Sequence, residues 1–246
     1  MKESLTADTI TITGHDGDEI EAYLALPNDT DTYGGVVVIH HMPGYDSSTK
    51  EIVRKFAAHG YAALMPNLYH RDAPGASPDD AAAAARAKGG APDERVVGDV
   101  AGAARHLKSL PGSNGKVGVI GYCSGGRQTF LSACSLQFDA AVDCYGGGVI
   151  NVPEGLPASM KPIVSLAGNL SCPLLGLFGE DDAHPSPAEV AELEEALKAN
   201  GKTYEFHSYP NAGHAFFSVN RPAYRVEAAN DGWEKIFAFY GKYLAS

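Results

Sequence analysis

The segment Val117-Gly118-Val119-Ile120-Gly121-Tyr122-Cys123-Ser124-Gly125-Gly126 decides how the rest of the chain is read. Four residues suited to a buried strand run straight into a Gly-x-Cys-x-Gly turn, and Arg127 to Ala133 continues with helical spacing. A strand, a sharp turn and a helix in that order hold the central side chain on a strained corner, with glycines on either side so that neighbouring backbone can pass close to it. The corner brings Cys123 to a helix N-terminus, where the dipole favours thiolate, and turns the backbone N–H of Ser124 toward a developing oxyanion. A tight glycine turn around a buried structural cysteine is the bland reading of the same residues. Ser124 as the nucleophile would put Tyr122 where a small residue is needed, and it is set aside.

Outward from this turn, short apolar runs at Val36 to Ile39, Ala62 to Met65, Ala140 to Val142 and Leu174 to Phe178 match Val117 to Ile120, with a mixed strand at Tyr204 to Tyr209. Such runs suit strands covered on both faces. Between them lie helical stretches. Ser48 with Glu51 has the spacing of a capping box and Gly60 closes the helix, while Ser186-Pro187-Ala188-Glu189 opens another that ends at Asn200-Gly201. Pro92 to Leu110 and Pro222 to Leu244 are periodic, the latter with Val226, Trp233, Phe237 and Tyr240 facing inward. Ala81 to Ala85, with Asp79-Asp80 before it and Arg86 and Lys88 after it, reads as a short helix. Thr9 to Thr13 and Ile20 to Ala25 flank Asp16-Gly17 as an antiparallel hairpin. The prediction is a single α/β domain over residues 1–246, with a mostly parallel central sheet, helices on both faces and an N-terminal hairpin.

Composition narrows the partners. The chain has 246 residues, 44% of them hydrophobic, and its 19 basic and 30 acidic residues leave a net charge of −11, which disfavours nucleic acid and anionic membranes. No apolar run approaches the roughly 20 residues of a membrane span, and Met1 to Thr13 lacks the basic-then-apolar pattern of a leader, so a soluble cytoplasmic protein is expected. Cys123, Cys134, Cys144 and Cys172 form no CxxC pair, and reduced thiols are expected. Neither a Gly-x-Gly-x-x-Gly fingerprint nor a Gly-Lys-Ser/Thr phosphate loop occurs, and no cofactor is implied.

A nucleophile on such a turn needs a base and an orienting acid, which follow it in that chain order with the acid first. Gly179-Glu180-Asp181-Asp182 follows one strand, and Pro210-Asn211-Ala212-Gly213-His214 follows the next. His214 is the candidate base and Asp182 the candidate acid, with Asp181 its rival and helix capping the alternative role for the pair. His207, inside a strand, and His184, before a proline, read as structural. His40-His41-Met42-Pro43-Gly44 follows the first buried strand, where Met42 N–H can supply a second oxyanion donor. The adjacent histidines do not read as a metal site, because neighbouring strand residues point to opposite faces and no HExxH or CxxC accompanies them. Arg71, in a loop beyond a strand, is a candidate clamp for a substrate carboxylate; pairing with Asp72 is the alternative.

Together, Gly121-Tyr-Cys-Ser-Gly-Gly126, Asn67-Leu-Tyr-His-Arg-Asp-Ala-Pro-Gly75 and Ala212-Gly-His-Ala-Phe216 resemble the dienelactone hydrolase (carboxymethylenebutenolidase) family of α/β-hydrolases, over nearly the whole chain. The resemblance implies a cysteine, aspartate and histidine triad at Cys123, Asp182 and His214, and it matches Arg71 to one arginine that binds the lactone's carboxylate. It also implies hydrolysis of a lactone or activated ester without a metal, by a monomer or homodimer. The chain departs from the family twice. His41 stands where the family has a glutamate thought to take the thiol proton, which suggests that His41 pairs with Cys123 and holds a standing thiolate, unless it only fills space or bonds backbone. Ser218 stands where a second arginine is usual, with Arg221 close by. A broader carboxylesterase or thioesterase, and a non-catalytic acid-binding or redox-responsive protein of the same fold, are the rival readings.

Overall fold

The apolar runs form one sheet. A computed structural model of the protein describes residues 4–28, 32–154, 156 and 160–245; Met1 and Ser246, the bounds of the expected domain, lie outside them. Strands β1 (Leu5–Thr13) and β2 (Glu19–Pro27) make the N-terminal hairpin, and β3 (Tyr33–Ile39), β4 (Ala62–Pro66), β5 (Ser113–Tyr122), β6 (Ala140–Cys144), β7 (Leu174–Gly179) and β8 (Tyr204–Tyr209) follow. Their order across the sheet is β1-β2-β4-β3-β5-β6-β7-β8. β1 with β2 and β2 with β4 are antiparallel, and the pairs from β4 through β8 are parallel. Strand β5, which ends one residue before Cys123, therefore lies in the middle, covered on both sides.

Alternation along the strands makes two cores. Val37, Ile39, Val119 and Leu174 face helices α3 (Asp93–Ser109), α4 (Ser124–Ser135) and α5 (Pro187–Ala199), with α2 (Pro78–Ala87) on the same side. Val36, Val38, Ile120 and Leu175 face α1 (Ser47–Ala58) and α6 (Val226–Leu244). Tyr240 of α6 is buried and donates its hydroxyl to Val119 O at 2.9 Å, which ties the last helix to β5.

Two helix starts differ from the sequence reading. In α1 the cap is Asp46, not Ser48: Asp46 Oδ1 accepts from Thr49 N–H at 2.8 Å and from Thr49 Oγ1 at 2.9 Å, whereas Glu51 accepts from Arg54. A carboxylate that takes two donors of the first turn outcompetes a hydroxyl one residue inside it. The last helix begins at Val226 rather than Pro222, because the N–H groups of Ser218, Arg221 and Tyr224 close successive tight turns and that of Arg225 reaches back to Phe216 O, and Val226 is 57% exposed rather than inward. The capping box of α5 is present as expected, Ser186 Oγ accepting from Glu189 N–H and Glu189 accepting from Ser186 N–H.

Candidate active site

The corner at Cys123 is strained, with φ 58° and ψ −121° in a residue that has a Cβ. Such backbone persists only where the surroundings fix it, and the glycines show how tightly they do. A Cβ on Gly121 would stand 2.0 Å from Gly125 O, and one on Gly125 would stand 2.4 Å from Ile39 O. The Gly-x-Cys-x-Gly spacing is thus the condition for packing α4 against β3 and β5 directly behind the sulfur. Ser124 is the first residue of α4, where N–H groups have no partner within the helix.

Cys123 is half-buried and shares a cavity with His214, His41 and Met42. The other three thiols are free but buried; burial pushes Cys134 and Cys172 up to about 12 and Cys144 well above the ordinary range. His214 Nδ1 lies 2.8 Å from Asp182 Oδ2, and the second oxygen of that carboxylate accepts from His184 N–H at 2.9 Å. Asp182 is buried, and its rival Asp181 is exposed. Burial works against charge on His214, but the hydrogen bonds to Asp182 and to Cys123 and the charges behind them prevail, so its pKa is raised to about 10. Tyr145 packs edge-on against the imidazole, 5.2 Å between ring centres, from a backbone with φ 45°. Sequence reasoning missed Tyr145; its signal was a place three residues beyond the buried run Ala140 to Val142 and before Gly146-Gly147-Gly148.

His41 takes a different set of partners from the expected one. Its Nε2 is 3.3 Å from Asp46 Oδ2 and its Nδ1 is 3.4 Å from Thr49 Oγ1, so the start of α1, rather than the sulfur, supplies the contacts of its ring nitrogens. His40 is fully occupied: Nε2 accepts from Leu68 N–H at 3.3 Å, which leaves the proton on Nδ1 to be donated to His41 O at 2.9 Å. Burial lowers the pKa of His40 to about 4, so it stays neutral. His207 pairs with Glu205 at 2.6 Å on β8, in keeping with a structural role.

Arg71 does not reach this cavity. Its guanidinium grips Asp99 of α3 with two bonds, at 2.9 and 3.0 Å, and Asp18 at 2.7 Å, which locks the hairpin turn and the loop after β4 onto α3. The alternative partner, Asp72, is taken by Arg95 at 2.7 Å and Lys88 at 3.4 Å. Both expectations for Arg71 give way, because Asp18 and Asp99 offer a converging acidic seat that no single stretch of sequence displays.

The comparisons agree with this frame. The model of the Dienelactone hydrolase family matches residues 20–244. The chain belongs to the dienelactone hydrolase family. The carboxymethylenebutenolidase of Pseudomonas putida is 30% identical over 230 residues, 92% of each chain. A Methylorubrum extorquens protein provisionally named carboxymethylenebutenolidase is 33% identical over 97% of this chain and 82% of its own. A Klebsiella pneumoniae crystal structure provisionally named dienelactone hydrolase superposes with a TM-score of 0.86 at 30% identity, covering 98% of this chain and 100% of that one. The dienelactone hydrolase fold is the expected α/β-hydrolase architecture, and membership makes the chain a hydrolase of ester or lactone bonds. Among the described residues no helix is long and apolar enough to cross a membrane.

Proposed function

We propose that the chain opens a lactone or activated ester, such as an enol lactone bearing a carboxylate, by acyl transfer to Cys123. The observation that carries this reading is His214, which shares its cavity with Cys123 and has Nδ1 2.8 Å from buried Asp182. Thiolate with imidazolium is the resting pair this arrangement favours. The sulfur attacks the carbonyl carbon, and the N–H groups of Ser124 and Met42 hold the oxyanion. The carbon–oxygen bond then breaks, the leaving oxygen takes the proton from His214, and a thioester remains. Water gives a proton to His214 and attacks the thioester, which returns the thiolate. Thiolate is itself a good leaving group, so an amide adduct would tend to revert, whereas an enol lactone leaves as an enolate that can tautomerise.

A broader carboxylesterase or thioesterase with the same residues is favoured by one finding: Arg71 is held by Asp99 and Asp18 instead of serving as a clamp. The deciding experiment follows the ultraviolet absorbance of a carboxylate-bearing dienelactone, with p-nitrophenyl acetate in parallel, for the wild type and Cys123→Ala. Turnover lost by about 10³-fold or more in the variant is the expected outcome. Ester cleavage without dienelactone loss selects the second reading. Equal turnover by wild type and variant removes Cys123 from the chemistry.

A further inference from the structure

The cavity that contains Cys123 has a volume of about 720 Å³, in the range that takes drug-sized ligands of several hundred Å³ and more than a small lactone fills. One wall is α1, which lines it from Ser47 to Ala58, a run of roughly 16 Å at 1.5 Å per residue. The start of α1 touches His41, so the wall leads away from the reacting end. Phe217, Trp233 and Val219 complete the lining, with Trp233 packed on α1 against Phe56 at 5.8 Å between ring centres and Val219 69% exposed at the rim.

Two cations of this wall and rim are uncommitted. Lys55 Nζ lies 4.0 Å from the centre of the Trp233 ring, and Arg221 is on the exposed turn after Ser218. Among the described residues neither has a carboxylate at ion-pair distance, whereas their neighbour Arg54 is bound to Glu51 and to the Tyr23 hydroxyl. Burial lowers the pKa of Lys55, and nothing acidic opposes it. A half-buried ammonium on an aromatic face, facing an apolar trough and lacking a counter-ion, is a seat for an anion that arrives with an apolar body.

We infer that the site takes an extended ester or thioester whose apolar acyl chain runs along α1 and Phe217 and whose far end carries a carboxylate, received by Lys55 and Arg221, which line the same cavity. The inference rests on acylation of Cys123 at the near end. It differs from a small lactone with its carboxylate beside the reacting carbonyl, because the anion is placed a chain length away.

The test compares p-nitrophenyl octanoate with the mono-p-nitrophenyl ester of octanedioic acid, which differ by the terminal carboxylate. In the wild type, kcat/KM for the anionic ester is expected to exceed that for the neutral one by about tenfold or more, the worth of one hydrogen bond to a charged group. Lys55→Gln and Arg221→Gln are each expected to lower that ratio by about tenfold, through KM rather than kcat, and Lys55→Arg to restore most of it. Trp233 is the single tryptophan, so its fluorescence reports the same trough without turnover. The N-methyl monoamide of octanedioic acid should change it saturably in the wild type, and much less in Lys55→Gln; N-methyloctanamide, the neutral probe, should bind more weakly. A wild-type ratio near one, or one that neither substitution alters, overturns the inference even while both esters are cleaved. If no ester is cleaved, the acyl-transfer reading fails, and the titration alone decides whether the trough selects the carboxylate.

Discussion

Two histidines of the Cys123 cavity, His41 and His214, are each paired with an aspartate, and the pairs differ in what else the aspartate does. Asp182 spends one oxygen on the His184 N–H and gives the other to His214 at 2.8 Å, from the rigid end of β7. Asp46 is the cap of α1, holding both the N–H and the hydroxyl of Thr49, and it meets His41 at the longer distance of 3.3 Å. Burial works against ionisation of Asp46, but its hydrogen bonds with His41 and Thr49 hold the carboxyl well below the ordinary range. A carboxylate occupied with starting a helix meets its imidazole only at 3.3 Å, whereas one that spends a single oxygen on backbone keeps the other for the imidazole at 2.8 Å and can sustain its charge. Proximity to the nucleophile therefore does not make the two histidines equivalent.

The largest expected effects break this symmetry directly. His214→Gln and Asp182→Asn should each lower kcat/KM for p-nitrophenyl acetate by about 10³-fold to 10⁴-fold, since base and tautomer are lost together. His41→Gln should lower it by less than about tenfold. If His41→Gln matched His214→Gln, the pair beside α1 would be the working base and the comparison would be inverted. Next in size is Arg71→Ala, which strips the guanidinium from Asp99, a carboxylate with 0% exposure. Breaking a buried pair in this way costs about 3 kcal/mol, readable in urea unfolding, while KM for a carboxylate-bearing substrate should stay within about twofold. A raised KM with unchanged stability would return Arg71 to the substrate. Smaller still is Asp46→Ala, expected to cost about 1 kcal/mol, or a fall of roughly 2–4 °C in Tm, as a lost cap.

The sheet, the strained turn at Cys123 and the meeting of Asp182 with His214 were legible because each rests on local pattern: a buried run, glycines two residues either side of Cys123, and carboxylate and imidazole just past strand ends. Arg71 was not, since its partners Asp18 and Asp99 come from a hairpin turn and a distant helix. The cap of α1 was misread because Ser48 with Glu51 has the spacing of a capping box, and only the fold shows that Asp46 reaches Thr49 first. The trough past Lys55 was invisible for the same reason: α1 and Trp233 meet only after the chain closes its second core.

The smallest effect tests the charge on which the comparison depends. In an unfolded chain His214 would release its proton near 6.5, but in the folded protein it holds it to about 10. Between those values His214 carries one proton more in the folded chain, but the thiolate beside it carries one fewer for as long as the unfolded thiol stays protonated, so the stability drawn from the pair is level around neutrality and is lost as pH rises toward 10. His214→Gln has no such contribution. The stability gap between wild type and His214→Gln should therefore be level around neutral pH and close as pH rises to 10. Solvent reaches the imidazole, whose side chain is 36% exposed, so screening limits the gap to about 1 kcal/mol or less. Parallel thermal melts across that range decide the matter. A gap that stays constant all the way to pH 10 would mean that His214 contributes packing alone and is neutral at rest, and the thiolate–imidazolium pair would have to give way to a neutral thiol activated only when substrate binds.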